Sequence, residues 1–168
     1  SIQLKKVFFQ FFESKIIYNA HSIINGEKPD FEDKNSDCFF LKRSDKYSTI
    51  STVIELVSER LPTAYGINPI TDIQILCPSR KLETGTININ NLLQDKLNPH
   101  KKGEPQIFYK GFYFRVGDKV MQIKNNYDLQ FIRDNNEYGN GVFNGDVGFI
   151  TEIDMRASIL KVRFDDKV

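Results

Sequence analysis

A short basic loop follows an apolar run that ends at Cys77. It carries two cations, hydroxyl groups and a glycine, and it leads into a helix that we expect to start at Thr86. Backbone N–H groups at a helix N-terminus and charged side-chain donors together suit a phosphate. The loop therefore predicts an anion site formed by Ser79, Arg80, Lys81, Thr84 and Gly85. An ordinary solvated loop with a capping threonine explains the same composition, and that alternative stays open.

A second polar group follows a strand-like segment that contains Gln122 and Lys124. Asn125 and Asn126 offer amide donors, and Tyr127 offers an aromatic ring. Aromatic rings stack on the bases of single-stranded nucleic acid, so this group predicts contacts to such a strand. A polar loop with one packed tyrosine is the alternative.

Two glycine-containing turns lie between apolar segments in the same part of the chain. Gly117-Asp118 and Asn144-Gly145 suit two-residue hairpin turns, because glycine and asparagine tolerate positive φ. Two such hairpins predict a small β-barrel. Asp118 and Asp146 together would suit the metal site of a nuclease. Aspartate is also a common turn residue, and we favour that interpretation.

Other catalytic and metal-binding patterns are weak. The sequence contains no Gly-x-x-x-x-Gly-Lys-Ser/Thr phosphate loop, so the chain lacks a complete ATP site of that type. His21 and His100 have no obvious nucleophile or acid partner in sequence, and surface histidines are the simpler interpretation. Cys38 and Cys77 lie far apart, which disfavours zinc and predicts two buried thiols in a reducing compartment.

Composition sets wide limits on the class of protein. With 168 residues, 40% of them apolar, the chain can bury one sizeable core, or a moderate core and a small barrel. A net charge of +1 neither supports nor excludes a polyanionic partner. No apolar run approaches the roughly twenty residues that span a bilayer, and no signal peptide is evident, so we expect an intracellular protein without a membrane partner. The start at Ser1, inside an apolar run, suggests a piece of a longer protein.

Apolar spacing predicts alternating helices and strands in the first part of the chain. Stripes at helical spacing lie in residues 14–26, 50–61 and 86–97, and Pro62 and Pro99 should end the last two helices. Short continuous apolar runs at residues 38–41 and 73–77 are typical of buried strands. Strand, helix, strand, helix is the pattern of a parallel α/β layer.

After the charged residues 100–104, apolar and polar residues alternate instead of recurring at helical spacing. We interpret residues 100–104 as a domain boundary. The apolar residues beyond them predict about four or five short strands, and we expect Lys161 and Arg163 to point away from the core. A closed SH3-like barrel would remove exposed strand edges. Residues 130–140 should then form a long exposed loop, and the predicted fold class is α/β plus β.

Three ordered blocks of sequence carry a family resemblance. The first lies between residues 7 and 26, and the second between residues 75 and 94. The third spans residues 114–148, with Gly-Asp-Lys-Val-Met-Gln, Asn-Asn-Tyr-Asp and Val-Phe-Asn-Gly-Asp-Val-Gly in order. Together they resemble RecD-like DNA helicases, the exodeoxyribonuclease V alpha-chain family of superfamily 1. The resemblance implies a partial second RecA-like motor domain of the P-loop NTPase type at residues 1–104 and an SH3-like insertion at residues 105–168.

The resemblance implies an ATP-dependent helicase that moves 5′ to 3′ on single-stranded DNA in unwinding, repair and recombination. ATP and magnesium would bind the full-length protein, and this piece alone should be inactive. Phe9 stands where the family has an ATP-contacting arginine, beside Gln10, a weak candidate for nucleotide contact. Expected partners are single-stranded DNA, an N-terminal motor domain and other recombination subunits, in the cytoplasm. The implied DNA contacts are Ser79, Arg80, Lys81, Thr84, Gly85, Asn125, Asn126, Tyr127, Asn144 and Gly145.

Two other function classes compete with the helicase interpretation. Small barrels with a similar glycine-rich turn occur in binding proteins, so a non-catalytic nucleic-acid- or protein-binding module is the first alternative. A metal-dependent nuclease that uses Asp118 and Asp146 is the second, and we favour it least. An upstream phosphate loop in the full-length gene would distinguish the helicase from both.

Overall fold

The computed structural model of the chain describes residues 14–33 and 35–164. The chain divides into two compact units, one that ends at Arg43 and one that begins at Ser44. In the described ranges, none of the helices has the length and apolar character needed to cross a membrane.

The first unit contains helix α1, Lys15–Ile24, which confirms the helix predicted from residues 14–26. Its buried face is polar, with Asn19 and Ser22 buried. The Asn19 side chain donates to the Asp30 carbonyl at 2.8 Å and accepts from the Asp30 N–H at 2.7 Å. The apolar stripe of α1 is instead largely exposed.

The two expected buried strands are wrong for this structure. Residues 38–41 and 73–77 have no strand pairing, and Leu76 is 88% exposed. Continuous apolar runs favour strands only where partner strands cover them. Every strand pair in the described part of the chain is antiparallel, so the RecA-like parallel sheet stays a prediction.

A long helical segment opens the second unit. Helix α2, Lys46–Glu55, continues through a π-helical turn, Leu56–Arg60, into helix α3, Leu61–Tyr65. The predicted end at Pro62 is therefore wrong by one turn. Proline lacks an N–H and crowds the preceding turn, and the widened π turn lies where these effects disturb the regular ladder. The segment ends instead at Gly66, whose φ is +65°.

Helix α4, Thr86–Leu97, confirms the third predicted helix, with Gly85 before its start and Asn98 after its end. Its buried residues Ile89 and Leu93 form an apolar core with Val57 of the π-helical turn. Side chains of the extended segment 73–77 pack against this core. The segment therefore contributes to packing although it pairs with no strand.

In the part of the chain that the structure describes, seven short strands follow, where about four or five were expected. They are β1 (Gln106–Tyr109), β2 (Phe112–Arg115), β3 (Lys119–Met121), β4 (Asn126–Ile132), β5 (Tyr138–Val142), β6 (Val147–Asp154) and β7 (Ile159–Arg163). They form the antiparallel pairs β1–β2 and β4–β5 and the three-stranded sheet β3–β6–β7. This arrangement is consistent with the expected SH3-like domain.

Two details of the predicted barrel need correction, and one is confirmed. Residues 130–140 form parts of the β4–β5 hairpin rather than a long loop. The turns at Gly117-Asp118 and Asn144-Gly145 connect strands of different pairs, so neither closes a two-stranded hairpin. Each is a tight turn with positive φ at its glycine, +89° and +98°. Lys161 and Arg163 are exposed, as expected.

The β-strand region has its own apolar core. Val142 and Ile150 are almost fully buried in this region, and Phe131, Ile153 and Phe164 are buried as well. Glycines allow close approach here, because a Cβ at position 148 would lie 2.5 Å from the carbonyl oxygen of Arg163. This packing fixes the strands whose connecting turns carry the candidate site.

Candidate nucleic-acid interface

Four exposed residues from two separated segments meet beside the turn after β5. The N–H of Asn144 donates to Asn125 Oδ1 at 2.9 Å, and Asn125 Nδ2 donates to the Tyr127 hydroxyl at 3.1 Å. The Tyr127 ring meets the Phe143 ring edge to face, with centroids 5.8 Å apart. We call Asn125, Tyr127, Phe143 and Asn144 the amide–aromatic cluster.

Backbone pairing holds the two segments of this cluster together. The N–H of Gln122 donates to the Asp146 carbonyl at 2.8 Å, and the N–H of Gly145 donates to the Gln122 carbonyl at 2.8 Å. The Asp146 carboxylate also accepts from the Phe143 N–H at 3.0 Å, which fixes the turn. Gly145 supplies the positive φ that this turn requires. The cluster is therefore built on fixed backbone.

The amide–aromatic cluster has the exposure that a stacking surface needs. Tyr127 is 65% exposed and Phe143 is 43% exposed. Ile123 and Lys124, just before Asn125, are exposed as well and extend the surface with an apolar group and a cation. Exposed rings beside amide donors and a cation can stack on bases and contact the backbone of a single strand.

Asn126 does not join this cluster. It opens β4, where it pairs with Val142, and its side-chain oxygen accepts from the N–H of Asp128 at 3.2 Å. Phe143 was missed as a site residue in the sequence. It directly precedes Asn144-Gly145, where an apolar segment meets a turn, and this position was the one sequence signal that could have identified it.

The loop before α4 folds back onto the start of that helix. The N–H of Thr86 donates to the Ser79 carbonyl at 3.1 Å, and the N–H of Ile87 donates to the Arg80 carbonyl at 3.3 Å. Gly85 is buried, and a Cβ there would lie 2.8 Å from the Arg80 backbone. Two of the N–H groups at the helix start, which helices usually leave without a partner, thus already donate to loop carbonyls. This weakens the prediction that backbone N–H groups bind a phosphate here.

The side chains of this loop divide by exposure. Arg80 and Lys81 are exposed, while Thr84 is half-buried. Glu83 forms an ion pair with Lys46, and that hydrogen bond lowers the pKa of Glu83 below its ordinary value. Lys46, which lies outside the loop, therefore balances the negative charge of Glu83. The two exposed cations remain candidates for phosphate contact through their side chains.

Helix α4 is joined to the β-strand region by a hydrogen-bond network that the sequence did not reveal. The Asp118 carboxylate accepts from Gln94 Nε2 at 2.6 Å, Asn98 Nδ2 at 2.7 Å and the N–H of Arg115 at 2.8 Å. The Arg115 guanidinium contacts Asp95 at 3.1 Å and the Asn98 carbonyl at 2.9 Å. We call Gln94, Asp95, Asn98, Arg115 and Asp118 the clasp.

The clasp concerns both the predicted domain boundary and the interpretation of Asp118 as a turn residue. The predicted domain boundary after residue 104 stays a prediction, although hydrogen bonds of α4 cross it. Asp118 is engaged by three donors and Asp146 by its own turn, which fits the turn interpretation of both residues. Within residues 14–33 and 35–164, no three potential metal ligands among His, Cys, Asp and Glu cluster together.

The predicted nucleotide contact cannot be placed. Phe9 and Gln10 lie outside the described residues. ATP and magnesium binding therefore stay predictions for the whole protein.

Comparisons with known proteins agree with the sequence blocks. Residues 89–164 match the family model of the SH3 domain of ATP-dependent RecD-like DNA helicases. The chain is also 29% identical over 168 residues to an ATP-dependent RecD2 DNA helicase from Deinococcus radiodurans. That match covers 100% of the chain but 20% of the relative, so the chain spans about a fifth of that protein's length. The matched SH3 range begins within α4, the helix that the clasp joins to the strands.

Proposed function

We propose that the chain belongs to the RecD-like ATP-dependent DNA helicase family, and that its SH3-like domain holds single-stranded DNA on the amide–aromatic cluster. The observation that carries the proposal is the hydrogen-bonded contact between Asn125, Tyr127 and Asn144, with Phe143 against the tyrosine. It brings together residues from two separate motifs of the third sequence block, both of which resemble the family. The two rings would stack on successive bases.

The amides in the cluster have a positioning role in this proposal. Asn125 is bonded on both sides, to the Asn144 N–H and to the Tyr127 hydroxyl. These bonds hold the tyrosine ring at a fixed place relative to the turn, which lowers the entropy lost when a base stacks on it. Lys124, one residue earlier, supplies a charge for the DNA backbone.

We further propose that the whole protein unwinds DNA with ATP, 5′ to 3′ along a single strand, in repair and recombination in the cytoplasm. An N-terminal motor domain and other recombination subunits would be its partners. The named relative supports this in being an ATP-dependent DNA helicase. In this assignment the chain contributes DNA contacts, and Arg80 and Lys81 would add phosphate contacts at the start of α4.

Fluorescence anisotropy of a labelled oligo-dT titrated with the chain tests the DNA site. Tyr127→Ala should weaken binding by about fivefold or more, since stacking on one base contributes about 1–3 kcal/mol. Tyr127→Phe keeps the ring and loses only the hydroxyl contact that positions it, so it should weaken binding by about two- to threefold, less than Tyr127→Ala does. Tyr65→Ala, another exposed tyrosine, is the matched control.

Salt titrations separate the phosphate contacts from the stacking contacts. Arg80→Ala and Lys81→Ala should each reduce the salt slope by about 0.7, whereas Tyr127→Ala should leave it unchanged. Equal affinity of Tyr127→Ala and the unaltered chain would contradict the proposed site. Failure of the unaltered chain to bind oligo-dT would instead favour the protein-binding module.

A further inference from the structure

The hairpin β1–β2 carries a second group of exposed aromatic side chains, away from the amide–aromatic cluster in sequence. Its two-residue turn consists of Lys110 and Gly111, with φ of +49° and +88°. Positive φ at both positions is the geometry of the tight hairpin turn whose twist matches that of its strands. We call residues 106–115 the aromatic hairpin.

The outward face of the aromatic hairpin holds a preformed pair of rings. Phe108 and Tyr113 lie directly opposite each other on the two strands, and their centroids are 4.9 Å apart at an angle of 49°. Phe108 is 61% exposed and Tyr113 is 48% exposed. Each ring thus keeps much of its surface in solvent although it is positioned by the other.

The clasp fixes the base of the aromatic hairpin. Arg115, at the end of β2, contacts Asp95 and the Asn98 carbonyl of the α4 region, and Gln94 donates to the Tyr113 carbonyl at 2.9 Å. The hairpin is therefore anchored next to its aromatic pair, while its turn residues Lys110 and Gly111 are exposed. A stacking surface on anchored backbone loses little entropy on binding.

Charge favours an anionic ligand over an apolar protein surface at the aromatic hairpin. Residues 105–117 contain no aspartate or glutamate. The Lys110 ammonium lies 4.9 Å from the centroid of the Tyr109 ring, itself exposed. Exposed rings can stack on bases, and an adjacent cation without a nearby acid in the segment can contact a phosphate. The hairpin therefore suits a nucleic acid.

We propose that the aromatic hairpin is a second binding site for single-stranded DNA, in which a base stacks on the Phe108–Tyr113 pair and Lys110 contacts an adjacent phosphate. This inference rests on the proposed function in taking single-stranded DNA as the ligand. It adds a contact on strands β1 and β2, outside the DNA contacts drawn from the family resemblance.

The absence of tryptophan from the sequence makes a direct test possible. Phe108→Trp places a single tryptophan in the pair, and bases that stack on it should quench its emission when oligo-dT is added. Tyr65→Trp places the same probe at an exposed helix end and should not be quenched. Circular dichroism of each variant establishes that it is folded.

Affinity measurements complete the test. Phe108→Leu should weaken oligo-dT binding by about fivefold or more, in line with the loss of one stacked base. Lys110→Gly keeps the positive φ of the turn and should reduce the salt slope by about 0.7.

The outcomes separate the two DNA sites. Quenching at Phe108→Trp with unchanged affinity of Tyr127→Ala would support the hairpin site and contradict the cluster. An unquenched Phe108→Trp with weakened Tyr127→Ala would overturn the hairpin site alone, and would leave a protein partner as the occupant of the hairpin. No binding of oligo-dT to the unaltered chain would overturn both.

Discussion

Removal of the Asp118 carboxylate should destabilise the second unit strongly, because the clasp depends on it. Asp118→Ala removes three hydrogen bonds, from Gln94, Asn98 and the N–H of Arg115. Bonds to a charged group contribute about 1.5–3 kcal/mol each, but neighbouring bonds are not additive and these groups are only partly buried. We therefore expect a loss of about 3 kcal/mol in the free energy of unfolding, and a fall in Tm of about 6–12 °C.

Urea unfolding followed by circular dichroism measures this loss, with Asp128→Ala as an exposed control. A double-mutant cycle with Asn98→Ala tests the clasp itself, because the two residues share the 2.7 Å bond. The double variant should be less destabilised than the sum of the single variants by about 1 kcal/mol. Strict additivity of the two changes would refute the reasoning, since it would mean that helix and strands are not joined through Asp118.

Three further changes test the packing and the caps. Ile150→Ala should cost about 2–5 kcal/mol in unfolding free energy, because Ile150 is almost fully buried, and urea titration measures it. Gly148→Ala should lower Tm in a thermal melt, since the new Cβ would lie 2.5 Å from the Arg163 carbonyl oxygen; an unchanged Tm would contradict this packing. The Ser48 N–H lowers the pKa of Asp45 below its ordinary 3.8, so the cap stabilises α2 above that pH and is lost as pH falls through the lowered value. Acid titration by circular dichroism should show this step, and Asp45→Asn, which caps without titrating, should abolish it.

The sequence predicted those elements whose signals are local. Helices α1 and α4 followed from apolar spacing and from the residues at their ends, and the β-strand region followed from alternation. The strands expected at residues 38–41 and 73–77 failed because an apolar run does not specify its partners. The β4–β5 hairpin was missed because residues 130–140 are mostly polar and because Gly139 lies against the Phe131 ring, a contact that the spacing of apolar residues does not indicate.

The candidate site was predictable in its residue types but not in its connections. Asn125, Tyr127 and Asn144 were identified from composition and from the family's blocks. Their contact joins positions 19 residues apart and depends on the backbone pairing of Gln122 with the turn. The clasp was missed for the same reason, because amide and carboxylate side chains 20 and 24 residues apart carry no periodic signal.

The most direct measurement of the central claim is photocrosslinking of the chain to a single-stranded oligonucleotide that contains 5-iododeoxyuridine, with the crosslinked residues identified by mass spectrometry. The proposed function predicts crosslinks at Tyr127 and Phe143, which present exposed rings on the amide–aromatic cluster. Tyr127→Ala should remove the first of these, while Tyr65→Ala should change neither. Crosslinks confined to residues outside the cluster, at DNA concentrations that saturate the chain, would contradict the claim.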